Sequence, residues 1–236
     1  FRKYKKYTVV DYPDTKDLVK IALRVKSSDF LVLKQIFINQ EYFSIVTILN
    51  KYNIKPSVII DCGANIGLTS LYLKNQYPLT TIICIEPDRS NVSSIRENIL
   101  LNNYKGLSVL EKGIWKENKI LYLHSDFRDG RDWAYTLNEN ISPIKIETVT
   151  IANLISLFNI REIDFLKIDI EGSEKELFLD KEIENWLSIT NVIAIEIHDE
   201  FNCRADILSI LAQFDFEISY SGELVIGVNK KLRYKQ

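Results

Sequence analysis

"VIIDCGANIGLTSLY", Val58 to Tyr72, joins an apolar run to an acid, a turn bounded by two glycines, and a stretch with helical character. The pattern predicts a buried strand, a tight turn and a helix. Gly63 lets the chain turn sharply after the strand, and Gly67 allows close backbone approach where the helix begins. The rhythm repeats downstream. "TTIICIE", "GLSVLEKGI", "IDFLKIDI" and "NVIAIEIH" read as strands. "IGLTSLYLKNQ", "DRSNVSSIRENILLNN" (capped by Asp88), "IANLISLF", "SEKELFLDKEIENWL" and "ADILSILAQF" read as helices. "KILYLHS" and "IKIETVTI" are further extended pieces, and "FEISYS" and "ELVIGVN" form a hairpin across Gly222. Alternating strands and helices with apolar strands predict an α/β fold. Its sheet is Rossmann-like and mostly parallel, covered on both faces, with the C-terminal hairpin as an antiparallel edge.

Before Ser57 the chain is less regular. "DLVKIALRVKS" alternates loosely as a strand would. "SSDFLVLKQIFINQEYFSIVTILNKY" has helical spacing through Phe30, Leu33, Ile36, Phe37, Ile45, Ile48 and Leu49, with Ser28 or Asp29 as its cap. Residues 1–52 are therefore expected to form a mostly helical extension over the edge or mouth of the domain spanning 53–236.

Composition narrows the function. With 30 basic and 32 acidic residues the net charge is −2, so no overall field recruits nucleic acid or a membrane surface. The Arg2, Lys3, Lys5, Lys6 cluster reads as a solvated tail. No apolar run reaches the ~20 residues of a membrane span. Cys62, Cys84 and Cys203 are too few and too scattered for a disulfide framework or a structural zinc site. A reducing, cytoplasmic setting is expected. Phe1 is not an initiator and the chain has no Met, so it reads as a fragment or trimmed form. A homo-oligomer is compatible with this composition.

In open α/β sheets ligands sit beyond the carboxyl ends of the strands, where strand order reverses. Asp61 and Glu86 stand at two such ends. An acid about 20 residues past the glycine turn suits a ribose, because a carboxylate accepts from both hydroxyls. D-C-G-A-N-I-G is not the dinucleotide fingerprint, and Asp61 would repel a pyrophosphate but attract a cationic amino-acid end. S-adenosylmethionine meets both demands. Further on, Asp169 and Glu171 close a strand that begins apolar, and Glu196 and His198 close its neighbour. Charges at a buried strand's end are costly unless used. Glu174 and Glu176, in a first helical turn, read as structural, and His124 as a surface residue.

"VIIDCGANIGLTSLYL", "ICIEPDRSNVSSIRENI", "IDFLKIDIEGSEKELF" and "IAIEIHD" together resemble the successive motifs of the FkbM-type methyltransferases, and "KQIFINQEY" resembles their lead-in. The resemblance runs from about Asp29 to Gly227. It implies a class I methyltransferase sandwich that uses S-adenosylmethionine to methylate hydroxyl groups, often on sugars of glycans, antibiotics and polyketides. By that pattern Asp61, Gly63, Asn65 and Gly67 surround the methionine part, Glu86 the ribose, and the region of Gly113 the adenine.

Methyl transfer to an alcohol needs proximity, orientation and removal of the hydroxyl proton. A neutral His198 suits that last role, with Asp169 or Glu171 as the alternative, and the expected acceptor is a small molecule or glycan. No metal is expected. The competing account gathers one divalent ion on Asp169, Glu171, Glu196 and His198. Trp133 and Tyr135, in the polar segment from His124 to Asn140, are candidates for stacking on a sugar. Two further readings remain open: a methyltransferase acting on nitrogen or carboxyl oxygen, and a non-catalytic nucleoside-binding module.

Overall fold

The computed structural model describes residues 7–13, 18–124 and 136–233. The basic cluster at Arg2–Lys6 and the aromatics Trp133 and Tyr135 lie outside the described residues. The chain opens with a hairpin, β1 (Tyr7–Pro13) and β2 (Leu18–Arg24), then α1 (Asp29–Leu33), a π-helical turn (Lys34–Ile38) and α2 (Phe43–Lys51). Next come β3 (Val58–Cys62), α3 (Leu68–Gln76), β4 (Thr81–Glu86), α4 (Arg89–Leu101) and β5 (Leu107–Glu111). Four short strands follow: β6 (Gly113–Ile114), β7 (Ile120–His124), β8 (Thr136–Asn138) and β9 (Ile144–Val149). The rest is α5 (Ile151–Phe158), β10 (Ile163–Ile168), α6 (Glu174–Leu177), α7 (Ile183–Leu187), β11 (Thr190–Glu196), α8 (Arg204–Gln213), β12 (Phe216–Ser221), β13 (Leu224–Asn229) and α9 (Lys230–Arg233).

The main sheet has seven strands in the order β12-β13-β11-β10-β3-β4-β5. From β11 to β5 the strands are parallel. Strand order reverses between β3 and β10, which places a crevice at their carboxyl ends. Side chains of β3 alternate between two cores, Ile59 on one face and Ile60 on the other. The C-terminal hairpin forms as expected, but β13 is not an edge: it inserts antiparallel between β11 and β12. The edge strand β12 therefore runs with the parallel set. A hairpin pattern specifies which strands pair with each other, but not which of them meets the sheet.

α3 is buried from Leu68 to Asn75, so a second layer must cover its outer side. The described residues before β3 supply it. Phe37 meets the Tyr72 ring edge-on at 5.9 Å, and Ala22 N–H donates to Asn98 Oδ1 on α4 at 2.7 Å. This segment holds a hairpin as well as helices, and β1 gives no clear strand signal because four of its seven residues are exposed and none is buried. Two local expectations fail. Ser28 occupies the N-cap position of α1 without a side-chain cap, and Asp29 is drawn off to Arg24, which donates from its backbone N–H at 2.7 Å and its guanidinium at 2.7 Å. The helix expected over 173–187 breaks into α6 and α7. Asp180 makes the break: its carboxylate accepts from Glu182 N–H at 2.9 Å and Trp186 Nε1 at 3.3 Å, local bonds that compete with helix continuation.

Candidate active site

The turn after β3 is shaped by positive φ at Gly63 (77°), Asn65 (52°) and Gly67 (82°). At Gly63 no side chain fits: a Cβ would lie 1.7 Å from the Asp169 carbonyl oxygen. The backbone N–H groups of Gly63 and Ala64 both donate to Ile85 O at 3.0 Å, which ties the turn to β4. Gly67 makes a different close approach from the one expected. A Cβ there would press on Ile95 of α4 at 3.1 Å, so its role is helix packing.

Asp61 is wholly buried and points beneath the turn. Its Oδ2 accepts from Ser70 Oγ at 2.6 Å, and its Oδ1 pairs with Lys167 Nζ at 3.2 Å. The same ammonium donates to Gly63 O at 2.7 Å and stands 3.4 Å from Asp169 Oδ2. Burial opposes the charge on Lys167, but the two carboxylates outweigh it and hold the lysine well above its ordinary value. The sequence expectation set Asp61 facing the ligand; in the structure its charge is met from within.

Gly63, Asn65, Glu86, Gly113, Asp169 and Glu171 line one cavity with apolar walls from Ile114 and Leu137. Asp61 and Gly67 are not in that lining. At Gly113 a Cβ would collide with Leu137 Cδ1 at 2.2 Å. Glu86 is 5% exposed. Its Oε2 accepts from Asn65 N–H at 2.8 Å, and its Oε1 accepts from Asp88 N–H at 3.0 Å and Asn91 Nδ2 at 3.2 Å. A carboxylate has about four acceptor positions, so Glu86 keeps capacity on Oε2. Burial outweighs these bonds and pushes its pKa up to about 7.

That shift has a consequence for stability. A carboxyl raised from 4.5 to about 7 by the fold favours folding in its neutral form. The benefit is whole below pH 4.5 and is lost as pH rises through 7. From pH 5 to pH 8 the wild type should lose up to about 3 kcal/mol through this group. Urea unfolding at both pH values should show a flatter dependence for Glu86→Gln. Equal slopes would remove Glu86 as the cause.

The second cluster gathers where β10 and β11 end. His198 is 1% exposed. Its Nδ1 stands 3.0 Å from Glu174 Oε1, and its Nε2 stands 3.2 Å from Glu171 Oε2 and 3.9 Å from Glu196 Oε1. Glu174 is fully buried and also accepts from Ile170 N–H at 3.1 Å. Burial disfavours a charged imidazole, yet the bonds to Glu171 and Glu174 carry His198 up to about 11. The neutral base expected from sequence is thus a ring flanked by carboxylates on both nitrogens. Asp169 first, and burial second, push Glu196 up. Asp169, Glu196 and His198 each offer a donor atom within 4.8 Å of the others. Glu196 and His198 also line a groove with Arg204, Tyr220 and Glu223, none of which lines the cavity.

The sequence makes Glu174 a structural helix acid; the structure makes it the support of His198. Its signal was its place one turn beyond the strand mouth. Glu41 was missed altogether. It sits in the N-terminal layer, bonded by Gln35 at 2.9 Å, and burial and Asp169 raise its carboxyl. Glu176 pairs with Lys116 at 2.5 Å, and His124 stands 2.9 Å from Asn140 O, both away from the cluster. The three cysteines are buried free thiols. Among the described residues no helix is long and apolar enough to cross a membrane.

A family model described as the methyltransferase FkbM domain matches residues 61–218. The chain belongs to the FkbM methyltransferase family. This FkbM methyltransferase is 27% identical over 207 residues to "Methyltransferase 1" of Beauveria bassiana (strain ARSEF 2860), covering 78% of the chain and 81% of the relative. It is 23% identical over 190 residues to "31-O-demethyl-FK506 methyltransferase FkbM" of Streptomyces tacrolimicus, covering 68% and 73%. The fold is shared with a putative caffeoyl-CoA O-methyltransferase from Staphylococcus aureus, at a TM-score of 0.50 and 10% identity over 86% of this chain and 93% of that one. The methyltransferase FkbM structure from Methylobacillus flagellatus KT matches at a TM-score of 0.49 and 18% identity, over 74% of this chain and 44% of that one.

Proposed function

We propose that this FkbM methyltransferase transfers a methyl group from S-adenosylmethionine to a hydroxyl of a sugar, glycan or related natural product. One observation carries the reading. Asp169 lines the cavity under the glycine turn and also belongs to the cluster whose other members, Glu196 and His198, line the groove beyond. A cofactor site and an acceptor site that meet at one carboxylate suit direct group transfer.

The cavity fits the cofactor. Bound S-adenosylmethionine supplies a methyl already activated on a sulfonium. Glu86 keeps an acceptor position for ribose hydroxyls. Gly113, Ile114 and Leu137 give this part of the cavity an apolar wall suited to a base. Asp169 and Glu171, rather than Asp61, meet the ligand's positive charge. As the acceptor oxygen bonds to the methyl carbon, the carbon–sulfur bond would break to release S-adenosylhomocysteine, and Asp169 is placed to take the oxygen's proton. His198 is the positioning residue, its ring facing Glu171 at 3.2 Å and Glu196 at 3.9 Å. Tyr220 on the groove wall is 65% exposed and offers a face for a sugar ring. The name of the Streptomyces relative, with its 31-O-demethyl acceptor, favours oxygen as the methylated atom.

The test uses methyl-labelled S-adenosylmethionine with a panel of aryl and alkyl glycosides, read by mass spectrometry. A single methyl gain on a hydroxyl is expected, together with calorimetric binding of S-adenosylhomocysteine. Label found only on amines or carboxylates, or no binding of S-adenosylhomocysteine, would overturn the reading.

A further inference from the structure

We infer that Asp169, Glu196 and His198 form a binding site for one divalent cation of the magnesium–manganese class, at the seam between the cofactor cavity and the groove. Its catalytic use rests on the hydroxyl-methylation reading above; its existence does not. The inference departs from the metal-free expectation of the sequence.

The first support is convergence. The three donor atoms lie within 4.8 Å of one another. Ligand distances of about 2.0–2.6 Å for hard divalent ions allow such a span around a single centre. The donors sit at the ends of adjacent parallel strands, β10 and β11, whose register the sheet fixes. No large side-chain movement is needed to bring them together.

The second support is orientation. A metal-binding histidine almost always presents one nitrogen to the ion and its other to a carboxylate or carbonyl, which sets tautomer and ring angle. His198 has that arrangement. Nδ1 faces Glu174 at 3.0 Å, and Glu174 is itself fully buried and fixed by the Ile170 amide. Nε2 is thereby aimed at the carboxylates of Glu171 and Glu196. Glu171, at 3.2 Å from that nitrogen, is a fourth donor within reach.

The third support is charge. Asp169, Glu171 and Glu196 crowd one spot. The nearby cation Lys167 also serves Asp61 and Gly63 O, and His198 also serves Glu174. Three carboxylates held this close attract a dication, which on binding takes the place of the Nε2 proton of His198. Two carboxylates and one imidazole suit manganese or magnesium better than thiolate-seeking metals. Three protein ligands on a six-coordinate ion leave positions for water or for the acceptor's hydroxyls, which the ion would acidify.

The test needs no turnover. The full chain is stripped with chelator, dialysed, and titrated with Mn2+ alone, followed by calorimetry and by the loss of the free-ion electron spin resonance signal. One Mn2+ per chain is expected. Glu196→Gln and His198→Ala should each weaken it more than about tenfold, and Glu174→Gln about 10–100-fold as a supporting residue. Glu86→Gln should leave Mn2+ affinity unchanged. Circular dichroism checks each fold; should His198→Ala not fold, Glu196→Gln decides. No saturable binding, or binding that Glu196→Gln leaves intact, would overturn the site. S-adenosylhomocysteine binding, measured in parallel, keeps the methyl-transfer reading separate from this result.

Discussion

Lys167→Met should destabilise the protein by about 3–5 kcal/mol, the cost of breaking a buried ion pair from one side. Lys167 is 3% exposed and Asp61 fully buried. The two are register partners across β10 and β3, so neither can swing out to water without disturbing the sheet. Methionine fills much of the same volume but leaves Asp61 with Ser70 alone as its donor. It also removes the bond to Gly63 O, so the turn should loosen and affinity for S-adenosylhomocysteine should fall. Denaturant unfolding of Lys167→Met, Asp61→Asn and the double variant would isolate the pair. The double variant should regain part of the loss, since a neutral Asn no longer strands a charge. A loss below about 1 kcal/mol for Lys167→Met would mean that Asp61 is not held by this lysine.

The same pair shows why the site was only half legible in the sequence. The alternation of strands and helices could be read directly, because most apolar runs are closed by Gly, Pro, Asn or Asp. Asp88 caps α4 as its position suggested, accepting from Asn91 N–H at 2.8 Å. Glu86, Gly63, Asn65, Gly113, Asp169 and Glu171 do share one cavity, because strand ends in a parallel sheet converge by topology. Asp61 also stands at a strand end, but its side chain is claimed by Lys167, a residue distant in sequence whose nearness depends on β10 being placed beside β3. The available hint was the opposite charge in "KID". For His198 the position was legible and the environment was not: burial between Glu171 and Glu174 follows from the fold of the strand-to-helix turn, where Glu171 takes a φ of +51°. Such a left-handed, non-glycine residue gives little signal in sequence. It is also the kind of local strain that collects at functional sites.

Asp169→Asn should lower kcat by about 10²–10⁴-fold, the range for loss of a general base. The substitution keeps the shape and removes the charge. Of Asp169, Glu196 and His198, Asp169 is the one that lines the cavity, its side chain 28% exposed, and its backbone is pinned by an N–H bond to Cys62 O at 3.1 Å. The Asn variant should therefore sit where the acid sat. Glu86 and Gly113 are untouched, so affinity for S-adenosylhomocysteine should change by less than about tenfold, a single charge's worth at a solvent-reached site. The acceptor's KM should move little, because the groove is walled by other residues. A purely structural role would give another pattern, with stability, cofactor affinity and rate falling together. A near-normal kcat would pass the proton's destination to Glu171 or Glu196, and Glu171→Gln, whose carboxylate also lines the cavity, would then be the variant that stops turnover.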